Sequence, residues 1–291
     1  MRHHLLRRTL APLLAASAVT VLVPAVASAA TDPGRCRTGG GGLTSDLRPG
    51  QRLESGASLV PTPGKAELVM QPDGNLVIHL PGRPGGYKLP VWSSGTHGNP
   101  GAYATMQEDG NFVIYRKGGG PQQGGAIWDT ATYGSRTGTY VSASFVDDGR
   151  LVVTGRSEDY YWTTETVEQH VRVCASDMSW SQGFWAQSAS VWLVLQRDNN
   201  LVMYRKSDGK AIWSSGTYGN RNTLTLEIRD SGDLVLREYD RNETVRWRSN
   251  TAKSPGAYAL LQDDGNFVVY KKDGGPTKGG ALWNTATYNK I

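Results

Sequence analysis

The stretch Gln107–Tyr115, QEDGNFVIY, decides how the rest of the chain is read. It recurs as QRDNNLVMY at Gln196–Tyr204 and QDDGNFVVY at Gln262–Tyr270, and as QPDGNLVIH at Gln71–His79. The three full copies carry Gln, Asp, Asn, Val and Tyr at every second residue. Asp-Gly between two apolar β-rich runs is a hairpin signal. A three-residue loop, Glu108-Asp109-Gly110, fits a type I turn whose last residue is left-handed. Gly adopts that conformation without steric cost and Asn tolerates it, as Asn199 would have to. Gln107 then faces Asn111 across the hairpin. Asn111, Val113 and Tyr115 share one face, because side chains alternate along a strand. The result is a wall bearing two amides, a carboxylate, an apolar patch and a phenol.

Two more segments, Val146–Thr154 and Arg229–Arg237, have the same outline. Asp148-Gly149 and Ser231-Gly232 keep the turn, and Val152 and Val235 keep the apolar position. Val146, Arg150 and Thr154 replace Gln, Asn and Tyr in one, and Arg229, Asp233 and Arg237 do so in the other. On this comparison the fold does not need the polar set, and its presence in four copies has another cause. The plainer reading is that Gln, Asp and Asn satisfy turn backbone groups, although Gln and Tyr are not turn residues.

Every unit ends in a Trp phrase: VWSSGT at Trp92, IWDTAT at Trp128, YWTTET at Trp162, IWSSGT at Trp213, RWRSNT at Trp247 and LWNTAT at Trp283. The spacings of 36, 34, 51, 34 and 36 residues divide six units into two groups of three. No long 3.6-residue period appears, and short β-type runs are punctuated by Gly and Pro, so the chain is expected to be all-β. Three units per group suggest one pseudo-threefold domain closed around a core. Trp at a fixed place in all six units reads as that core; a sugar-stacking role is the other reading. The longest close match, Pro100–Tyr133 against Pro255–Tyr288, pairs the second unit with the sixth, where simple duplication would pair second with fifth.

Residues 1–29 read as an export signal. Arg2, Arg7 and Arg8 precede an apolar run, and Ala27-Ser28-Ala29 is a small-residue cleavage site, so cleavage near Ala29 and secretion are expected. The run is near spanning length, but the cleavage signal favours removal over membrane insertion. Without this segment the formal charge falls from +5 to about +2, with 28 Lys and Arg against 26 Asp and Glu. No basic cluster argues for nucleic acid. Residues 30–42, ending in four glycines, read as a flexible lead-in.

The repeated QxDxNxVxY resembles the monocot mannose-binding lectin family, the bulb or snowdrop type. The opening Leu47-Arg48-Pro49-Gly50-Gln51-Arg52-Leu53 is also similar to that family's usual start. The resemblance covers nearly the whole mature chain. It implies two tandem β-prism II domains, each of three four-stranded sheets in pseudo-threefold array, at 43–167 and 174–291 with a linker at 168–173. It further implies one shallow sugar pocket per complete motif. Asp109 and Asn111 would hold the axial 2-hydroxyl of mannose, Gln107 and Tyr115 the 3- and 4-hydroxyls, and Val113 the ring carbons. The same roles fall on Asp198, Asn200, Gln196, Tyr204 and Val202, and on Asp264, Asn266, Gln262, Tyr270 and Val268. Gln71, Asp73, Asn75 and Val77 match in the first unit, but His79 replaces Tyr there. Terminal-strand swapping is common in the family and allows a homodimer.

Residue chemistry agrees with such a ligand. Vicinal hydroxyls donate and accept, a carboxylate accepts, and amides do both. Several weak pockets give avidity toward a branched mannose-containing glycan. Cys36 and Cys174, the two cysteines, could pair in an exported protein or remain free thiols. No enzyme is expected. The five His (His3, His4, His79, His97, His170) form no metal-spaced pair in the mature chain, no Gly-x-Ser-x-Gly elbow occurs, and the repeats leave no room for a catalytic domain. Asp-x-Asn has too few acids for calcium, so neither metal nor cofactor is expected. Two rivals stay open. Tandem domains of this kind resemble bacterial lectin-like bacteriocins, which kill related cells; alternatively, the chain is a surface module that has lost sugar binding.

Overall fold

A computed structural model describes residues 43–82, 86–134, 141–155, 160–164, 166, 172–175 and 179–291. The export segment, its cleavage point, the 30–42 lead-in and Cys36 lie outside the described residues. Every regular element described is a β-strand.

Each motif hairpin forms the middle of an antiparallel sheet. In the second unit Tyr103–Met106 pairs with Phe112–Gly120, which pairs with Gly124–Asp129. The turn is the expected one: the Gly110 N–H donates to the Gln107 carbonyl at 3.2 Å, and the Gln107 N–H donates to the Asn111 carbonyl at 2.9 Å. Gly110 has φ of +92°, and Asn199, its counterpart, has +74°. Both therefore occupy the left-handed region that other residues avoid.

The fourth strand of each sheet comes from the opening of its own group, taken in reverse. Thr44–Leu47 joins the third unit's sheet, Arg52–Leu53 the second and Ser58–Leu59 the first. In the second group Arg172–Cys174 joins the sixth unit's sheet and Trp185–Gln187 the fourth. The fifth unit departs from the expected four strands. Its sheet has three, Leu224–Ile228, Leu234–Glu238 and Val245–Arg248, and an isolated bridge from Trp180 to Leu226 takes the fourth place. Arg172 and Val173, assigned to the linker from sequence, lie in the sixth sheet, because their backbone pairs with Leu260 and Ala259. Cys174 beside them is disulfide-bonded, and the sequence holds one other cysteine, Cys36.

Three sheets facing one axis make a β-prism, and the chain carries two in tandem. Alternation decides which side chains meet on the axis. Phe112 and Ile114 point inward and are fully buried, while Val113 and Tyr115 point to the opposite face. The six repeat tryptophans meet as two triads. Trp92, Trp128 and Trp162 have ring centroids 5.5–6.1 Å apart, and Trp213, Trp247 and Trp283 are 5.2–5.9 Å apart, all edge to face. Edge-to-face packing sets the positive ring edge against a negative face. In a closed triangle each ring can do this to the next, which is why one Trp per unit closes a threefold core.

A second set of tryptophans joins the prisms. Trp185 and Trp192, fully buried, lie on the outer face of the fourth unit's sheet, with Val194 beside them. All three belong to the buried cluster that contains the first prism's core. Gly149 makes room: a Cβ there would sit 3.1 Å from the Trp185 indole nitrogen.

Trp247 lies in a unit without the polar set, so it tests the scaffold alone. Trp247→Ala should cost about 3 kcal/mol in urea unfolding, at the lower end for a large core truncation because the ring is half-buried.

Candidate functional site

The turn aspartate is the first polar group to be placed. Asp109 Oδ1 accepts the Asn111 N–H at 2.9 Å; Asp73, Asp198 and Asp264 do the same at 3.0, 2.9 and 2.9 Å. One carboxylate oxygen thus caps the turn. The side chain is exposed, so its second oxygen is left to accept from a ligand.

The asparagine is divided in the same way. Asn111 Oδ1 accepts the Thr132 N–H and the Thr130 hydroxyl, both at 3.1 Å. A backbone N–H can only donate, so the oxygen must face it and the amide cannot be flipped. Nδ2, a pure donor, therefore points away from the scaffold. Asn75, Asn200 and Asn266 use Oδ1 identically, toward Thr96, Thr217 and Thr287. The Thr hydroxyls close the ring, with Thr132 Oγ1 donating to the Gly110 carbonyl at 2.7 Å and meeting Thr130 Oγ1 at 2.7 Å.

The two units that lack the polar set differ in what they keep of it. In the fifth unit Asp233 Oδ1 accepts the Thr251 N–H at 2.9 Å and the Ser249 hydroxyl at 3.0 Å, as the asparagines do. In the fifth unit the scaffold keeps the acceptor and gives up the donor half of the amide, whereas the third unit, with Arg150 at this position, has neither. The Thr/Ser pairs that follow each Trp are functional supports that the sequence reading passed over. Their signal was present, since a hydroxyl residue, one spacer and Thr end all six Trp phrases.

The glutamine and tyrosine form a third repeated pair. Gln107 Nε2 donates to the Tyr115 hydroxyl at 2.6 Å, Gln196 to Tyr204 at 2.6 Å and Gln262 to Tyr270 at 2.9 Å. Burial, the larger cause, raises the Tyr204 and Tyr270 phenols above their ordinary range, with the glutamine bond pulling back. Each keeps its proton and, having accepted from Gln, can donate outward. Tyr115 and Tyr270 are backed by tilted rings, Tyr103 at 5.9 Å and Tyr258 at 5.8 Å. Those rings carry a guanidinium in turn, Arg52 at 4.3 Å and Arg172 at 3.5 Å. Val113, Val202 and Val268 lie beneath, almost wholly buried by their neighbours.

No family model matches the sequence. A segment of 100 residues, 34% of this chain, is 37% identical to mannose-specific lectin 2 of Colocasia esculenta, of which it covers 33%. A 95-residue segment, 32% of this chain, is 38% identical to mannose-specific lectin 3 of Crocus vernus and covers 38% of it. Over about a third of its length the chain is similar to mannose-specific lectins. It spans about a third of the length of the curated relatives it matches. Among solved structures, a two-domain, fetuin-binding agglutinin of Scilla campanulata is 24% identical, with 82% of this chain and 99% of that one aligned at a TM-score of 0.31. A Colocasia esculenta agglutinin solved with mannose bound is 28% identical over 40% of this chain and 88% of that one, at a TM-score of 0.28.

The six units are not equal. The second, fourth and sixth have the full wiring. In the first, His79 takes the phenol's place, and its Nδ1 is buried without a hydrogen-bond partner. Its cross-strand neighbour Glu67 is held by Lys88 at 2.6 Å. The third and fifth are filled by arginine. Arg150 binds the turn carboxylate of Asp148 at 2.8 Å, and Arg237 pairs with Glu227 at 2.9 Å, with Arg229 at 3.6 Å from the same carboxylate. The fourth site stands beside the first prism, where the Tyr87 ring packs on the backbone of Gly209. Among the described residues no cluster of three or more His, Cys, Asp or Glu could hold a metal ion.

His79 makes a pH prediction. Burial lowers its pKa below the ordinary 6.5, with Glu67 opposing and Lys88 assisting. The unfolded chain then takes up a proton before the folded one, so stability should fall as pH drops below about 6.5 and be level above it. His79→Tyr should remove that slope in urea titrations between pH 7 and 5. An unchanged slope would assign the acid sensitivity elsewhere.

Proposed function

We propose that this protein is a secreted, multivalent lectin that binds mannose or mannose-containing glycans through the pockets at Gln107–Tyr115, Gln196–Tyr204 and Gln262–Tyr270. One observation carries the reading. Three separate units fix one end of Asp, Asn and Tyr by the same internal hydrogen bonds and leave the other end without a hydrogen-bond partner among the described residues. The set left over comprises a carboxylate oxygen, an amide donor and a phenol proton. Two adjacent sugar hydroxyls, each able to donate and accept, match it, and charge-assisted bonds to the carboxylate supply the strongest contacts. The mannose-specific names of the curated relatives support that choice of sugar.

The pockets are shallow, and magnitude then sets the biology. At about −0.3 kcal/mol per non-hydrogen atom, a hexose of roughly twelve such atoms gains about −4 kcal/mol, which is on the order of millimolar. Useful binding therefore requires several pockets on one glycan or surface. We assign the mature chain to residue 30 onward, with prisms near 43–167 and 172–291, the second beginning with the strand Arg172–Cys174.

Calorimetric titration with mannose, with galactose as control, should show three competent sites. Asn111→Asp, Asn200→Asp and Asn266→Asp keep the acceptor that Asp233 supplies in the fifth unit but remove the outward donor. The triple variant should unfold within about 1 kcal/mol of wild type and bind no mannose. Absence of heat from the wild type at millimolar mannose would overturn the proposal. Retention of binding by the folded triple variant would reject the assigned role of the amide.

A further inference from the structure

Three exposed tyrosines follow the complete pockets and no others. The residue after the second Thr of the Trp phrase is Tyr133, Tyr218 and Tyr288 in the second, fourth and sixth units. It is His97 in the first unit, where the motif is incomplete, and Val167 and Ala252 in the third and fifth, where it is lost. A single exposed aromatic residue needs no explanation. An aromatic that tracks the pocket through six units of one scaffold does, because the incomplete units show that the fold accepts His, Val or Ala there.

The position is tied to the pocket. The N–H of the preceding Thr donates to Asn Oδ1 in each case, at 3.1 Å from Thr132, 3.3 Å from Thr217 and 3.3 Å from Thr287. The following residue returns to the turn that carries the aspartate: the Gly134 N–H donates to the Asp109 carbonyl at 2.9 Å, and the Gly219 N–H to that of Asp198 at 3.1 Å. The backbones of Tyr133 and Tyr218 are thereby clamped between the asparagine and aspartate of the pocket, and Tyr288 is tied on the asparagine side through Thr287. Its ring is 67% exposed at Tyr133, 69% at Tyr218 and 55% at Tyr288, so it contributes little to the core.

We propose that Tyr133, Tyr218 and Tyr288 are stacking platforms at the aspartate end of each pocket, taking the C–H face of a second, neutral hexose linked to the one the pocket holds. The apolar, slightly positive C–H face of a pyranose complements the negative face of a phenol ring. A rigid aromatic on a clamped backbone loses little freedom on contact, unlike a long flexible side chain. The inference rests on the lectin reading above and extends it from one sugar to two: the pocket selects the first residue and the platform selects chains over monosaccharides.

The test compares mannose with a linear mannotriose on the full chain. Tyr133→Ala, Tyr218→Ala and Tyr288→Ala combined should leave the mannose affinity within about twofold and weaken mannotriose about tenfold. The corresponding triple Phe variant should retain mannotriose binding, because the ring face and not the hydroxyl makes the contact. Wild type that binds both sugars, with an Ala variant unchanged toward mannotriose, overturns the platform and leaves the pockets standing. Equal affinity of wild type for the two sugars per site also overturns it. Wild type that binds neither overturns the pocket reading and this inference with it.

Discussion

The structure leans on one hydrogen bond repeated in five of its six units, from the backbone of the second Thr in the Trp phrase to a side-chain oxygen at the start of the hairpin's second strand. It is made by Asn75, Asn111, Asn200, Asp233 and Asn266. The bond ties the hairpin turn to the end of the third strand, which also carries the core Trp. A free backbone N–H at a buried corner would cost on the order of 1–3 kcal/mol. The hydroxyl of the second Thr finishes the same corner by donating to the carbonyl of the turn's last residue, Gly74, Gly110, Asn199, Gly232 or Gly265. Core, turn and pocket are therefore held by adjacent atoms of a single side chain.

That economy explains how a pocket is made without separate machinery. An amide has an acceptor and a donor on one rigid plane. Once the scaffold claims the acceptor, the direction of the donor is set and no further residue is needed to hold it. The aspartate and tyrosine follow the same logic, each spending one atom on the protein and offering another outward. It also explains the pattern of loss. Asp233 keeps the acceptor and gives up the donor, and the freed face is occupied by the Arg237–Glu227 ion pair. The third unit has Arg150 in place of the asparagine and keeps its corner by the Thr164 and Thr166 hydroxyls alone, with Thr166 bonding the Gly149 carbonyl.

Much of this was legible in the sequence because the determinants are local and repeated. The turn at Gln107–Asn111 follows from Asp-Gly between β-rich runs, and the alternation of Asn111, Val113 and Tyr115 follows from the strand period. The Trp triads follow from one Trp at a fixed place in every unit. Three features were not legible, each for a physical reason. Which half of the Asn111 amide the scaffold uses depends on a partner 21 residues away. The pairing of Thr44–Leu47 with the third unit depends on closure of the whole ring. The burial of Trp185 and Trp192 depends on contact between prisms, where a strand's outer face reads in sequence like any other apolar position.

The same locality accounts for the match between the second unit and the sixth. By strand order the second unit corresponds to the fifth, since both take the middle opening segment, Arg52–Leu53 in one prism and the Trp180 bridge in the other. Yet the second and sixth alone share the long hairpins Phe112–Gly120 with Gly124–Asp129 and Phe267–Gly275 with Gly279–Asn284. Both also set an arginine from the opening strand over the backing tyrosine. A threefold prism treats its three sheets alike around the Trp triad, so a unit's side chains answer to its own hairpin, its own Trp and its own corner bond, and only weakly to its rank in the chain. Each unit can then gain, lose or elaborate a pocket without disturbing the other two. Three complete polar sets, one altered and two replaced with arginine on a single scaffold are the expected outcome of that independence.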